Sequence, residues 1–212
     1  MPKHLISGHE HFRAEYFAKE ALFLKQLAKD GQTPSALYVG CSDSRVIPKL
    51  LTAAAPGELF VVRNVANLVP AFETANACVG AAIEYAIAKL GVAHVIICGH
   101  YGCGGIRAAL DGVDRVADLP SLAGWLRGAE PAARAAEAKG LTGDALFRDA
   151  VEQNVLAQMD QLISYPVVEN ALDAGRLALH GWVYDIADSK LQVYDVRRED
   201  FVPSKEMEYG AE

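Results

Sequence analysis

Between residues 9 and 29 the apolar side chains Phe12, Tyr16, Phe17, Phe23, Leu24 and Leu27 recur at helical spacing, which predicts an amphipathic helix closed near Gly31. Further along, the period changes. Residues 36–39, 58–62 and 93–98 are short apolar runs, the last strongly so, and read as buried strands. Residues 74–90 place Val79, Ile83, Ile87 and Leu90 on one face of an Ala-rich helix. A glycine-rich turn at residues 100–105 leads into another helix at 106–110. Residues 125–139 and 144–163 read as two surface helices, the Ala-rich stretch 129–138 being helix and not linker. Residues 177–185 and 191–196 read as a last pair of strands with a turn at Asp188-Ser189. The alternation predicts an α/β fold, with a central, mainly parallel β-sheet flanked by helices. No internal repeat or low-complexity segment interrupts it.

Composition narrows the picture. The chain has 212 residues, 51% of them hydrophobic and 22% charged, enough to bury the core of one domain spanning 1–212. Its formal net charge of -7 argues against a nucleic-acid surface, while a single well-placed Arg suffices for a small anion. The first turns are polar and charged, unlike a secretory signal. No run of about 18 apolar residues predicts a membrane span. Cytoplasm is therefore the expected location. In that setting the four cysteines point to metal or catalytic roles and not to a disulfide framework.

Two groups of polar residues follow predicted strands. Cys41, Asp43 and Arg45 come after the first, and His100 and Cys103 after the third. In open α/β sheets ligands bind outside the carboxyl ends of strands, so both groups should meet at one edge. Two thiolates and one imidazole suit Zn²⁺, and three protein ligands leave the fourth tetrahedral position for water, as in catalytic zinc sites. Asp43 has two possible partners, the metal itself or Arg45. The choice would close or open the site. Gly99, Gly102, Gly104 and Gly105 let the backbone turn tightly and leave main-chain N–H groups free at the start of the next helix.

Other polar or sulfur-bearing residues have plainer readings. Cys98 lies in an apolar strand and reads as a core thiol, Cys78 as packing in the Ala-rich helix. His9 and His11 point to different helix faces and read as surface residues; His94 and His180 read as structural.

The segments Cys41-Ser-Asp-Ser-Arg45 and His100-Tyr-Gly-Cys103-Gly-Gly105 resemble the β-class carbonic anhydrases, and the likeness runs on through residues 56–67, 80–86 and 180–184. The resemblance implies one Zn²⁺ per subunit on Cys41, His100 and Cys103, with Asp43 and Arg45 as catalytic dyad. It implies that Gln32, Phe60 and Tyr85 line the substrate pocket and that the Gly104 N–H lies near substrate. It implies reversible hydration of carbon dioxide to bicarbonate and a proton by attack of zinc-bound hydroxide. Two thiolates should leave the metal a weaker acid than in carbonic anhydrases with three His ligands. The family fold adds an N-terminal helical arm, here residues 1–34, that packs on a partner subunit in a dimer or dimer of dimers. The exposed aromatic residues of the first predicted helix fit that role. Some members carry a second, inhibitory bicarbonate site of Trp, Arg and Tyr. Arg63 and Tyr184 match, but Tyr38 replaces the Trp, which favours an open, non-inhibited site.

Three other functions compete. A hydrolase of carbonyl sulfide or carbon disulfide would use the same ligands on the same fold. A cysteine-dependent phosphatase would use the glycine-rich turn as a phosphate cradle, although Arg45 and Arg107 each lie only four residues after a cysteine. A zinc-stabilised binding module would want a fourth protein ligand.

Overall fold

The computed structural model describes residues 2–74 and 77–207. Two helices, α1 (Lys3–Phe12) and α2 (Ala18–Asp30), joined through a π-helical turn at Arg13–Phe17, form an N-terminal arm without a single buried residue. Gly31 ends it in the left-handed region at φ 85°. Strand β1 (Ala36–Cys41) is buried at all six positions. After it come the short helix α3 (Pro48–Thr52), strand β2 (Leu59–Asn64), helix α4 (Ala77–Glu84) with a π-helical extension at Tyr85–Lys89, and strand β3 (His94–His100). Helices α5 (Gly104–Asp111), α6 (Pro120–Leu126), α7 (Glu130–Glu137), α8 (Gly143–Ile163) and α9 (Pro166–Asp173) precede strands β4 (Ala178–Asp185), β5 (Lys190–Asp195) and β6 (Asp200–Pro203).

The strands form one sheet in the order β2-β1-β3-β4-β5-β6. The first four are parallel, and β5 and β6 fold back antiparallel. Strand order reverses between β1 and β3, which makes the crevice beyond their carboxyl ends the natural ligand position of such a sheet. The main core lies between the sheet and the long helix α8, with α4, α5, α7 and α9 around it.

Several expectations needed correction. Residues 144–163 are no surface helix. Phe147, Ala150, Val151, Asn154, Val155, Gln158 and Leu162 of α8 form a continuous stripe pressed on the sheet. Glycines permit the close approach: a Cβ at Gly99 would lie 2.8 Å from the Val155 methyl, and one at Gly181 2.8 Å from the Met159 sulfur. The expected helix over 125–139 is broken by a 3₁₀ turn, because Pro131 starts a new helix at α7, whose Ala132, Ala133 and Ala136 are also buried. Cys78 is exposed in this chain and does not pack in the core. Positions 75 and 76 of the expected helix 74–90 lie outside the described residues. Helices α3 and α9 and strand β6 add to the elements expected. The turn at Asp188-Ser189 is present, with Ser189 left-handed at φ 54°. Among the described residues no helix is long and apolar enough to cross a membrane.

Candidate metal centre and its surroundings

The last residue of β1 is Cys41 and the last of β3 is His100; Cys103 caps the N-terminus of α5. Their candidate ligand atoms lie within 4.8 Å of one another, and all three residues are buried. The two sulfurs are 3.9 Å apart. The His100 Nδ1 is held by the Tyr101 carbonyl at 3.0 Å, which leaves Nε2 as the ring's free position. That Nε2 is buried without a hydrogen-bond partner; the Asp43 carboxylate, at 3.8 Å, is too far to supply one. An orphaned buried nitrogen facing two thiols is costly unless something else satisfies it, and this donor set fits a zinc ion.

The two thiols differ in their electrostatics. The contact with Cys103 holds the Cys41 thiol low, and the same contact, together with burial, pushes the Cys103 thiol up. The backbone amides of Asp43 and Ala66 help to lower the Cys41 thiol, and those of Ile106 and Gly105 at the start of α5 oppose the rise of Cys103.

Asp43 is turned toward Arg45. The guanidinium donates to Oδ1 at 2.9 Å and to Oδ2 at 2.7 Å, and the Arg45 backbone N–H adds a bond of 3.0 Å to Oδ1. These bonds hold the carboxyl well below the usual carboxylate range, so it stays ionised at neutral pH. Arg45 also donates to the Gly102 carbonyl at 3.2 Å, tying the two loops together. Gly102 sits at φ 77°, a conformation that suits glycine there. A cleft of about 490 Å³ opens beside Arg45, lined also by Ile47, Leu50, Tyr184 and Ser189.

The three residues compared with a second anion site are placed as follows. Arg63 spends its donors on the carbonyls of Cys41, Asp43 and Val46, at 3.0, 2.6 and 2.8 Å, and so pins the Cys41 loop. This clamping role had no signal in residue spacing. Tyr184 hydroxyl donates to Ser189 at 3.4 Å. Tyr38 is fully buried, and its hydroxyl has no hydrogen-bond partner among the described residues. Burial pushes the Cys98 thiol up to about 12, in keeping with an inert core residue. His94 and His180 contact each other at 3.1 Å.

Gln32, Phe60 and Tyr85 do not join the candidate metal ligands. Gln32 is exposed, ahead of the amino end of β1. Phe60 pairs with Leu37, whereas Asn64 pairs with Cys41, so Phe60 lies roughly 13 Å back along the strands at a rise of about 3.3 Å per residue. Tyr85 stacks near Phe60, ring centroids 5.9 Å apart, and lines a groove with Phe72, Ala81 and Pro166. Gly104, by contrast, begins α5 beside Cys103, with open space around its Cα.

Residues 36–191 match the family model described as carbonic anhydrase. A carbonic anhydrase of Pseudomonas aeruginosa is 42% identical over 199 residues, covering 93% of this chain and 90% of the relative. The solved structure of the β-carbonic anhydrase CcaA is 38% identical with a TM-score of 0.91, covering 95% of this chain and 91% of the other. One of two tetrameric β-carbonic anhydrases from the filamentous ascomycete Sordaria macrospora is 30% identical with a TM-score of 0.79, covering 90% and 95%.

Proposed function

Since the chain belongs to the β-class carbonic anhydrase family, we propose that it catalyses the reversible hydration of carbon dioxide to bicarbonate and a proton at a Zn²⁺ held by Cys41, His100 and Cys103. The observation that carries this reading is the convergence of two buried sulfurs with a buried imidazole Nε2 that has no other partner. When bound, Zn²⁺ acts as a Lewis acid that lowers the pKa of water and so makes a nucleophile available near neutral pH.

The chain's own residues then divide the remaining work. Asp43, ionised and fixed by Arg45, accepts a hydrogen bond from the attacking water and aims it. Its low affinity for protons makes it an orienting acceptor, with the released proton passing to solvent. Arg45 competes with the metal for that carboxylate and keeps it away, which is the open form of the site. The Gly104 N–H, at the positive end of α5, favours the negative charge that develops on the substrate oxygen.

The positions of Gln32, Phe60 and Tyr85 bear on assembly. If they line a substrate pocket, that pocket cannot be the one beside their own chain's Cys41. They must serve a neighbouring subunit, and the smallest working unit is then a dimer. The arm supports such a unit: Leu5, Ile6, Phe12, Leu22 and Phe23 are all exposed in the single chain. Residues 1–212 are read as one catalytic domain with the arm at 1–34.

The test is zinc stoichiometry together with stopped-flow carbon dioxide hydration on the same sample. One zinc per chain and rapid hydration are expected, with both lost in Cys41→Ser. Full hydration activity in zinc-free Cys41→Ser protein would overturn the reading. Turnover of carbonyl sulfide or carbon disulfide in preference to carbon dioxide would transfer the same site to the sulfur analogues.

A further inference from the structure

The ladder between β3 and β4 runs one bond past the end of β3. The Tyr101 N–H donates to the Tyr184 carbonyl at 3.0 Å, so His100 and Tyr101 are both held in extended register. Successive side chains of a strand point to opposite faces. His100 turns toward the two thiols, while Tyr101 joins the main core beside α8, only 7% exposed. One carbonyl links these neighbours. The Tyr101 carbonyl lies 3.0 Å from His100 Nδ1. A carbonyl can only accept, so the proton of the neutral imidazole sits on Nδ1 and the lone pair on Nε2, the form that binds a metal.

The side chain behind that carbonyl is gripped by α8. Glu152 Oε1 accepts from the Tyr101 hydroxyl at 2.5 Å, the partner that a buried phenol needs. One turn earlier on the helix, the Arg148 guanidinium lies over the Tyr101 ring, 3.6 Å from its centroid. Arg148 is itself tethered, donating to Asp185 Oδ2 at 3.3 and 3.4 Å. Asp185 is the last residue of β4, and its Oδ1 accepts from the Ala187 and Asp188 N–H groups of the turn beyond, at 3.0 and 3.4 Å. On the other side of the carbonyl, Gly102 turns the chain at φ 77°, and its own carbonyl accepts from Arg45. The peptide between Tyr101 and Gly102 is thus held from both ends. A phenylalanine would fill the same core space; the hydroxyl and its carboxylate partner add direction that packing alone does not require.

We propose that Tyr101, with its ring and hydroxyl gripped by Arg148 and Glu152 of α8, is a positioning residue for the metal ligand His100: the grip fixes the carbonyl that takes the Nδ1 proton and so presents the Nε2 lone pair to the metal. The inference rests on His100 being a metal ligand. The partner of a ligating histidine's second nitrogen sets ring orientation and basicity, so a loosened carbonyl is felt at the metal.

Tyr101→Phe, Glu152→Leu and Glu152→Gln are compared with the parent chain loaded with zinc and with cobalt(II). Zinc affinity, measured by chelator competition, should weaken roughly 10- to 100-fold in Tyr101→Phe and Glu152→Leu. The visible ligand-field bands of their cobalt forms should change with it. Glu152→Gln keeps an acceptor for the hydroxyl and should retain the parent's affinity and bands. Tyr101→Phe, which keeps the ring under Arg148, carries the test if Glu152→Leu does not fold. Parental zinc affinity and cobalt bands in folded Tyr101→Phe, even with a lowered melting temperature, would leave the hydroxyl a merely structural role and overturn the proposal. A Glu152→Gln protein as weak as Glu152→Leu would overturn it too, because the hydroxyl still has its acceptor there. A parent chain whose cobalt bands are unchanged by His100→Leu would overturn the ligand assignment beneath, which is a separate failure.

Discussion

Replacing His100 with Leu separates a metal ligand from a buried structural histidine. In the chelated protein the His100 ring makes one hydrogen bond, Nδ1 with the Tyr101 carbonyl, and leaves Nε2 buried and unpaired. Losing the bond costs about 1 kcal/mol, while removing the orphaned nitrogen relieves a penalty of about 1–3 kcal/mol. Leucine is of similar volume, and a change of shape in a core costs less than about 1.5 kcal/mol. These terms nearly cancel, so metal-free His100→Leu should match the metal-free parent within about 2 kcal/mol. At 2–4 °C per kcal/mol for a chain of about this size, that is a melting difference below about 8 °C. Zinc changes the comparison. At a thousandfold excess over its dissociation constant it should stabilise the parent by about 4 kcal/mol, or roughly 8–16 °C, and the variant by less than half as much. Scanning calorimetry with chelator and with zinc reads all four states. A variant that gains the full zinc shift refutes the ligand assignment. A metal-free variant weaker than its parent by more than about 4 kcal/mol shows that Nε2 had a structural partner after all.

Gly99→Val should overpack the β3–α8 contact, where even a bare Cβ falls 2.8 Å from Val155 and 3.3 Å from Val151; the expected loss is about 1–3 kcal/mol, and an unchanged melting temperature would refute the tight approach. Asp43 has a carboxyl pKa depressed by Arg45, so its contribution to stability is present above the unfolded value of about 4 and lost as pH falls through the lower folded value. The stability gap between the parent and Asp43→Asn should therefore be flat from pH 6 to 8 and narrow below about pH 4; a gap that changes across neutrality would point to another titrating group. Mixing Cys41→Ser chains with Phe60→Ala chains, after dissociation and reassembly, should restore about a quarter of parental activity if each chain's Phe60 serves its partner's metal, because half the random dimers then carry one intact site. No recovery beyond the two parents would mean that Phe60 acts elsewhere.

The convergence of Cys41, His100 and Cys103 was legible in the sequence because these residues lie at or just after the ends of strands whose apolar runs are strong. Residues 36–41 and 94–100 are buried almost throughout, and the strand ends put Cys41 and His100 side by side. Helix α8 was misread for a definite reason. Its buried stripe contains Asn154 and Gln158, and polar residues at those positions mimic a solvated face. Only the three-dimensional partner of each amide, a turn nearly ninety residues away in the chain, shows why they are inside. Strand β6 is four residues long and begins with Asp200, too short to set up an alternating pattern. The Arg63 clamp was invisible because it acts on backbone carbonyls, which leave no trace in side-chain spacing.

Residue matching supplied another kind of information, and its limit is physical. A resemblance assigns Gln32, Phe60 and Tyr85 to a pocket without saying whose pocket it is. Parallel pairing settles the distance: in register with Leu37, Phe60 is at the amino half of the sheet, and the candidate metal ligands are at its carboxyl ends. A single sheet cannot bend one edge onto the other. If the proposed dimer forms, the apolar arm, the Phe60–Tyr85 pair and the exposed groove beside Tyr85 belong to one question, which is how a second copy would present its amino edge to the first copy's Cys41. On this view the Arg45–Asp43 pair guards a site whose polar half is complete within the chain and whose apolar wall is built only on association.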